Sequence, residues 1–262
     1  KIHTQYSICE GAARIDDLQE YSKTNKLRSL GLCDTSNLCG ALEFAEKISK
    51  SGTQPIIGTQ IKFKIDETIG LLPLFALNET GYKNIIKLSS SSFLKNDELS
   101  DPHVEFAELI KNSGGVSVFS GTVFGLFGKL FDKGKFTEIN DLYSKIKNTF
   151  GNRFYIEIQR HNDLNEKSFE KFNLNLSKKY NIPIIEDAAQ SVGSKLNNKM
   201  SGSFGNLGCF SAHPLKNLNG CGDGGYLTTN NKNFYLKATQ FRNHGLSNRN
   251  LVKKFGFLSR MD

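Results

Sequence analysis

The residues best suited to chemistry lie late in the chain. Asp187 and Gln190 follow an apolar strand-like run, Ser211 and His213 sit in "CFSAHPLKN", and Lys216 comes three residues after His213. A lysine can hold a carbonyl cofactor as a Schiff base, a carboxylate can keep a pyridine nitrogen protonated, and hydroxyl or amide donors can bind a phosphate. Pyridoxal phosphate chemistry needs those three types, and the Gly-rich "NGCGDGG" would let backbone approach such a cofactor closely. The types alone do not single the chemistry out, since Lys beside Gly is common and a strand-end Asp often only pins a loop.

A second, sparser set lies earlier. The runs "HTQYS", "CDTSN", "GTQ", "FSGTVFG" and "IQRHN" fall at strand ends, where a parallel α/β fold gathers its function. A polynuclear metal site needs several His, Asp, Glu or Cys donors converging. The candidates for such donors here are His3, Asp34 and His161.

The elements that must position these residues change character along the chain. From residue 1 to 185, β-type runs ("SLGLCD", "QPIIGTQIKFKI", "GLLPLFAL", "VSVFSG", "FYIEIQ") alternate with helical patterns ("LCGALEFAEKISKSG", "GYKNIIKLSSSSFLK", "FTEINDLYSKIKNTFG", "NEKSFEKFNLNLSKKY"). That alternation predicts mostly parallel strands covered by helices, with enough strands for a barrel. After Ile185 the texture becomes Gly-rich turns around short strands, "GSFGNLGCFSAHP" and "NGCGDGGYLTT", then one helical stretch near 231–245. The predicted domains are therefore 1–185 and 186–262.

Composition agrees with a globular α/β protein. The 262 residues include 20 Phe, and hydrophobic types make up 38%. The net charge is +8, but the ten basic and four acidic residues after Ile185 supply +6 of it, so the long first part is nearly neutral. Direct nucleic-acid binding is expected to be weak or absent. Five cysteines without a CxxC pair point to a reduced, cytoplasmic protein, and no apolar run approaches a membrane span of about 20 residues. Lys1 is not a Met, so this reading allows for residues upstream of it.

Residues 1–185 resemble the PHP (polymerase and histidinol phosphatase) domain of bacterial DNA polymerase III alpha subunits. The likeness rests on "HTQYSICEGAARIDDL", "LGLCDTSNLCGALEFAEKISKSGTQPIIGTQ", "LFALNETGYKNIIKLSS" and "FYIEIQRHN", in that order. It implies a (β/α) barrel-like domain. Metal-binding members open with HxH, continue with Asp-His, then a Glu, a Cys and a His, and end on Asp-x-His. Here His3 matches the second His of the opening pair, while Thr35, Gln60 and Thr122 stand where His, Glu and Cys would be. "EDAAQ" follows "NIPII" in place of the last motif. With His3, Asp34 and His161 as remnants, divalent metal is not expected, and Asp34 is expected to pin a loop. The resemblance implies a structural module whose partners are other polymerase domains or subunits. No palm domain is present, so polymerization is not implied for this chain.

Residues 182–262 resemble the central segment of the DegT-type sugar aminotransferases, pyridoxal phosphate enzymes of fold type I. The motifs are "EDAAQSVGS", "GSFGNLGCFSAHPLKNL", "GDGGYLTT", "FRNHGLS" and "SRMD". By that resemblance Lys216 is the Schiff-base lysine, Asp187 pairs with the pyridine nitrogen, Gln190 contacts the cofactor ring and Ser211 binds phosphate. Leu258 departs from the family, which often has Asn there to reach the neighbouring subunit of a homodimer. The segment carrying the phosphate loop and the ring-stacking aromatic should precede "IPIIEDAAQ", and polymerase-like sequence occupies that place.

The chain therefore reads as a chimera joined within one strand-like run, a PHP module followed by an incomplete α/β aminotransferase segment. Two further readings are a transaminase acting on nucleotide-linked keto sugars through Lys216 and, third, a metal-dependent phosphoesterase. A 77-residue piece of a large dimeric fold is expected to leave apolar surface uncovered.

Overall fold

The computed structural model describes residues 2–96, 100–159, 163–212, 216–218, 220, 224–248 and 251–252. Two compact units divide the chain, Lys1–Tyr180 and Asn181–Asp262.

Unit 1 runs α1 (Ile15–Thr24), β1 (Ser29–Thr35), α2 (Ala41–Lys50), β2 (Gln54–Ile65), β3 (Thr68–Ala76), α3 (Glu79–Leu94), β4 (Val104–Glu105), α4 (Phe106–Lys111), β5 (Val116–Phe119), α5 (Leu126–Asp132), α6 (Phe136–Phe150), β6 (Phe154–Tyr155) and α7 (Glu166–Lys179). Its sheet has the order β1-β2-β3-β5-β6, with β4 also paired to β2. Parallel pairs join β1 to β2 and β5 to β6, while β3 is antiparallel to both neighbours. The expectation of a mostly parallel sheet is thus corrected to a mixed one. Only Asp66 and Glu67 separate β2 from β3, and a connection that short can make a hairpin but not a crossover. Asp66 takes the positive φ of 48° that the turn requires.

Helical periodicity decides the packing around the sheet. Along α6 the buried residues are Ile139, Leu142, Tyr143, Ile146 and Phe150, one stripe at three- and four-residue spacing. Phe44 and Ile48 of α2 pack with Ile15 and Leu32 into one fully buried cluster. A second, aromatic core joins α5, α6, α7 and β6. Tyr143 packs edge-on against Phe127 and Phe154, and Phe131 touches Phe136, Phe169 and Phe172. The run Ser89–Ser92 lies within α3.

The segment "FYIEIQ" pairs only at Phe154 and Tyr155, against Val118 and Phe119. Its neighbour ends there because the chain turns away at Gly121, with φ of 78°. Beyond that point Glu157 N–H donates to Ser120 Oγ at 2.9 Å instead of to a strand.

Unit 2 contains β7 (Ile185–Asp187), β8 (Lys195–Leu196), β9 (Lys199–Met200), β10 (Leu207–Ser211), β11 (Gly225–Thr228), α8 (Lys232–Phe241), β12 (Leu246–Asn248) and β13 (Leu251–Val252). One three-stranded sheet has the order β11-β10-β7, and β8-β9 and β12-β13 are separate two-stranded ribbons. Only part of the expected strand "NIPII" pairs, since β7 begins at its last residue. A positive φ of 49° at Asn181, a residue type that tolerates this conformation, turns the chain at the unit boundary.

The sheet of unit 2 is held by close polar contacts more than by a core. The Glu186 carboxylate accepts from Gly202 N at 2.7 Å and Phe204 N at 2.9 Å. Among the described apolar residues of this unit only Ile182 and Ala188 are buried, and α8 buries none. Ile185, Leu227, Tyr235, Leu236 and Phe241 are exposed, which matches the expected uncovered apolar surface.

Candidate functional site

In unit 1 the end of β1, paired with the middle of β2, meets the loop 3–11. Asp34, near the end of β1, is fully buried. Its Oδ1 accepts from Thr4 N at 2.6 Å and from Ser7 Oγ at 2.7 Å, and its Oδ2 from Thr4 Oγ1 at 2.8 Å. These hydrogen bonds to both carboxyl oxygens offset the cost of its burial.

Parallel register places Thr35 beside Gln60. Gln60 Nε2 donates to Thr35 Oγ1 at 2.7 Å, and Thr35 Oγ1 in turn donates to the Glu10 carboxylate. His3 Nδ1 lies 3.9 Å from Glu10 Oε2. His3, Glu10 and Gln60 border a cleft of about 220 Å³ that is also lined by Thr122, Phe124 and Gln159.

The cleft is where the predicted metal remnants would act, and it does not fit a metal. His3 reaches it, but Asp34 is turned to Thr4 and Ser7, and Gln60 presents an N–H rather than a lone pair to Thr35. Among the described residues no group of three or more His, Cys, Asp or Glu could hold an ion. His161 lies outside the described residues. Sequence reasoning missed Glu10 and the paired hydroxyls of Thr4 and Ser7. The available signal was a carboxylate seven positions after His3 in a turn-rich loop.

In unit 2 the register places Asp187 opposite Cys209 in the parallel pair of β7 and β10. Directly paired residues share a face, as do residues two apart in one strand, so Asp187, Cys209 and Ser211 lie on the same face. Burial, and then the Asp187 charge, push the Cys209 thiol above its ordinary pKa. Asp187 Oδ1 accepts from Ala189 N at 3.1 Å, which turns the chain toward Gln190, and both Asp187 and Gln190 are exposed.

Lys216 is half-buried, and its neighbour Asn217 donates through Nδ2 to Val192 O at 3.1 Å. That bond ties the Lys216 turn to the segment following Gln190. Asp187 and Ser211 both lie at the C-terminal ends of β7 and β10. The carboxylate and the hydroxyl share a sheet face, and with the lysine amine they match pyridoxal phosphate in group type. His213, Cys221, Asp223 and Leu258 lie outside the described residues.

Comparison with known proteins matches residues 1–161 to the PHP domain family. The chain belongs to that family. The PHP match covers the segments that carry His3, Asp34, Gln60 and Thr122, and a second match, to the DegT/DnrJ/EryC1/StrS aminotransferase family, covers residues 172–262. The chimeric reading of two families in tandem is therefore shown, with each represented in part.

The PHP-family chain is 32% identical over 198 residues to DNA polymerase III subunit alpha from Caulobacter vibrioides (strain NA1000 / CB15N). It is 33% identical over 186 residues to the same subunit from Rickettsia felis (strain ATCC VR-1525 / URRWXCal2). Each alignment covers 71% of this chain, which spans only 17% and 15% of the lengths of these curated relatives. The X-ray structure of the aminotransferase from Psychrobacter cryohalolentis matches with 29% identity, over 35% of this chain and 26% of that one, at a TM-score of 0.32.

The aminotransferase match begins inside α7, although α7 packs with unit 1. Phe172 contacts Phe131 and Phe136, and Asn173 accepts from Tyr143 Oη at 3.0 Å. Sequence kinship and packing thus change over at different residues. No helix among the described residues is long and apolar enough to cross a membrane.

Proposed function

We propose that residues 1–185 act as a structural, metal-independent PHP module of a replicative DNA polymerase alpha subunit, docking on other polymerase domains or subunits. The observation that carries this is the similarity to the alpha subunits together with the donor set, in which Thr35, Gln60 and Thr122 replace metal ligands. Metal-dependent phosphoesterase chemistry is disfavoured by the same donors. The test is to co-express the chain with a relative's alpha subunit lacking its own PHP domain. Co-purification and recovered polymerase stability support the module, and failure of the two to associate overturns it.

A second reading concerns residues 186–262, and the shared face of Asp187 and Ser211 favours it. Pyridoxal phosphate, when bound, would supply the electron sink for amino-group transfer to a keto sugar. Lys216 Nζ would hold the cofactor and carry a proton, Asp187 would keep the proton on its ring nitrogen, Ser211 Oγ would donate to its phosphate, and Gln190 would contact the ring. A homodimer partner and the rest of the fold would be needed for turnover. The test is borohydride reduction of the chain with pyridoxal phosphate, followed by peptide mass spectrometry. Specific labelling at Lys216, absent in Lys216→Ala, supports cofactor binding; labelling spread equally over surface lysines refutes it.

A further inference from the structure

The mismatch between the cleft of unit 1 and a metal has a positive counterpart. Gln60 on β2, Thr35 on β1 and Glu10 in the loop 3–11 form one continuous polar chain across three segments. We propose that this chain, anchored by the Glu10 carboxylate, straps the loop 3–11 to the sheet in place of a metal cluster. The inference goes beyond the structural reading above, because it assigns the strap to named groups and makes the loop's order depend on Glu10.

Hydrogen-bond polarity fixes the direction of the chain. A threonine hydroxyl has one proton to give, and Thr35 spends it on Glu10, so its remaining lone pairs can only accept. Gln60 must therefore offer its N–H, which it does at 2.7 Å. A glutamate at position 60 would set a second acceptor against the same hydroxyl. The amide is thus required by the terminal carboxylate rather than being a neutral leftover.

The strap lies next to a second set of loop contacts but is distinct from it. Ser7 Oγ donates to Asp34 and accepts from Thr35 N at 3.1 Å, so Thr35 is held through its backbone as well as its side chain. Glu10 N and Gly11 N both donate to Ser7 O, at 3.0 and 2.9 Å, which puts the Glu10 backbone in the same turn. Freed of Glu10, this turn would keep its contacts to β1 through Asp34 and the Thr35 backbone, and lose its side-chain tie through Thr35 to Gln60 of β2.

Amide hydrogen exchange of the whole chain, followed by mass spectrometry of peptides covering 3–11 and α6, tests this. Glu10→Ala and Thr35→Val are each expected to speed exchange in 3–11 by roughly three- to tenfold, the scale of one lost hydrogen bond in a local opening. The double variant should exchange no faster than the faster single, and Glu10→Gln, which keeps an acceptor, should retain most protection. Chelator and added manganese should leave the wild-type pattern unchanged. Exchange that rises with chelator, single effects that multiply in the double variant, or an equal rise in α6 would each overturn the strap. Failure to associate with polymerase domains would leave these readouts untouched, so the two proposals fail separately.

Discussion

Thr4 grips Asp34 with two groups at once, its backbone N–H at 2.6 Å and its hydroxyl at 2.8 Å. One short loop residue thereby neutralizes much of the cost of burying a carboxylate at the end of β1. Asp34→Ala would strand the Thr4 and Ser7 donors, at about 1–3 kcal/mol for each buried group left without a partner. The expected result is a clear fall in the denaturant midpoint of unit 1. An unchanged midpoint would show that the loop, not the carboxylate, sets local stability.

Lys47 on α2 donates to Glu43 at 2.8 Å and also to Asp16 of α1. Its hydrogen bonds hold both carboxyls below their ordinary values of 3.8 and 4.5, with Tyr6 adding to the effect on Glu43. A depressed folded pKa contributes stability above the unfolded value that is lost as pH falls through the folded one. Lys47→Met should therefore lower the urea midpoint at pH 7, with the gap to wild type closing below about pH 4. The pairs are partly exposed, so added salt should shrink the gap as well.

Tyr143 is fully buried, and burial pushes its phenol well above the ordinary value of 10.0. A raised folded pKa means that the unfolded chain ionizes first, so stability falls as pH rises above about 10. Tyr143→Phe should flatten that alkaline loss. At neutral pH it should cost about 1–3 kcal/mol, because Asn173 loses the hydroxyl that donates to it at 3.0 Å. Paired melts of the two proteins at pH 7 and 10.5 would check both signs.

In unit 2, a Cβ on Gly208 would lie 2.4 Å from Gly202 O and 2.5 Å from Gly202 Cα. The Gly202 backbone cannot yield cheaply, so Gly208→Ala should disturb the β7–β10 pairing at a cost on the order of 1–3 kcal/mol or more. Faster amide exchange at 185–187 and 207–211 is the expected sign. Unchanged exchange there would mean that the turn at Gly202 moves aside freely.

Helices were the most legible elements because burial leaves a long periodic trace. The stripe from Ile139 to Phe150 could be read before any coordinates, because its apolar residues recur at three- and four-residue spacing. Strand partners were less legible. Apolar runs at 54–65 and 70–77 announce strands, but the antiparallel sense of β2 and β3 turned on two intervening residues. The run "FYIEIQ" has the composition of a full strand and pairs at two residues only, since pairing requires a neighbour of equal length.

The sequence by itself determined the two kinships this protein joins. Residue type is a local property, so Thr35, Gln60 and Thr122 rule out strong metal donors wherever they lie, and ordered motifs reveal family without coordinates. Only the tertiary structure decided what replaced those donors. Glu10, Thr35 and Gln60 come from three separated segments, and hydrogen bonding depends on distance and direction rather than on order in the chain. The same holds for the change of units after Tyr180, where packing of α7 against Tyr143 and Phe131, not motif order, sets the boundary.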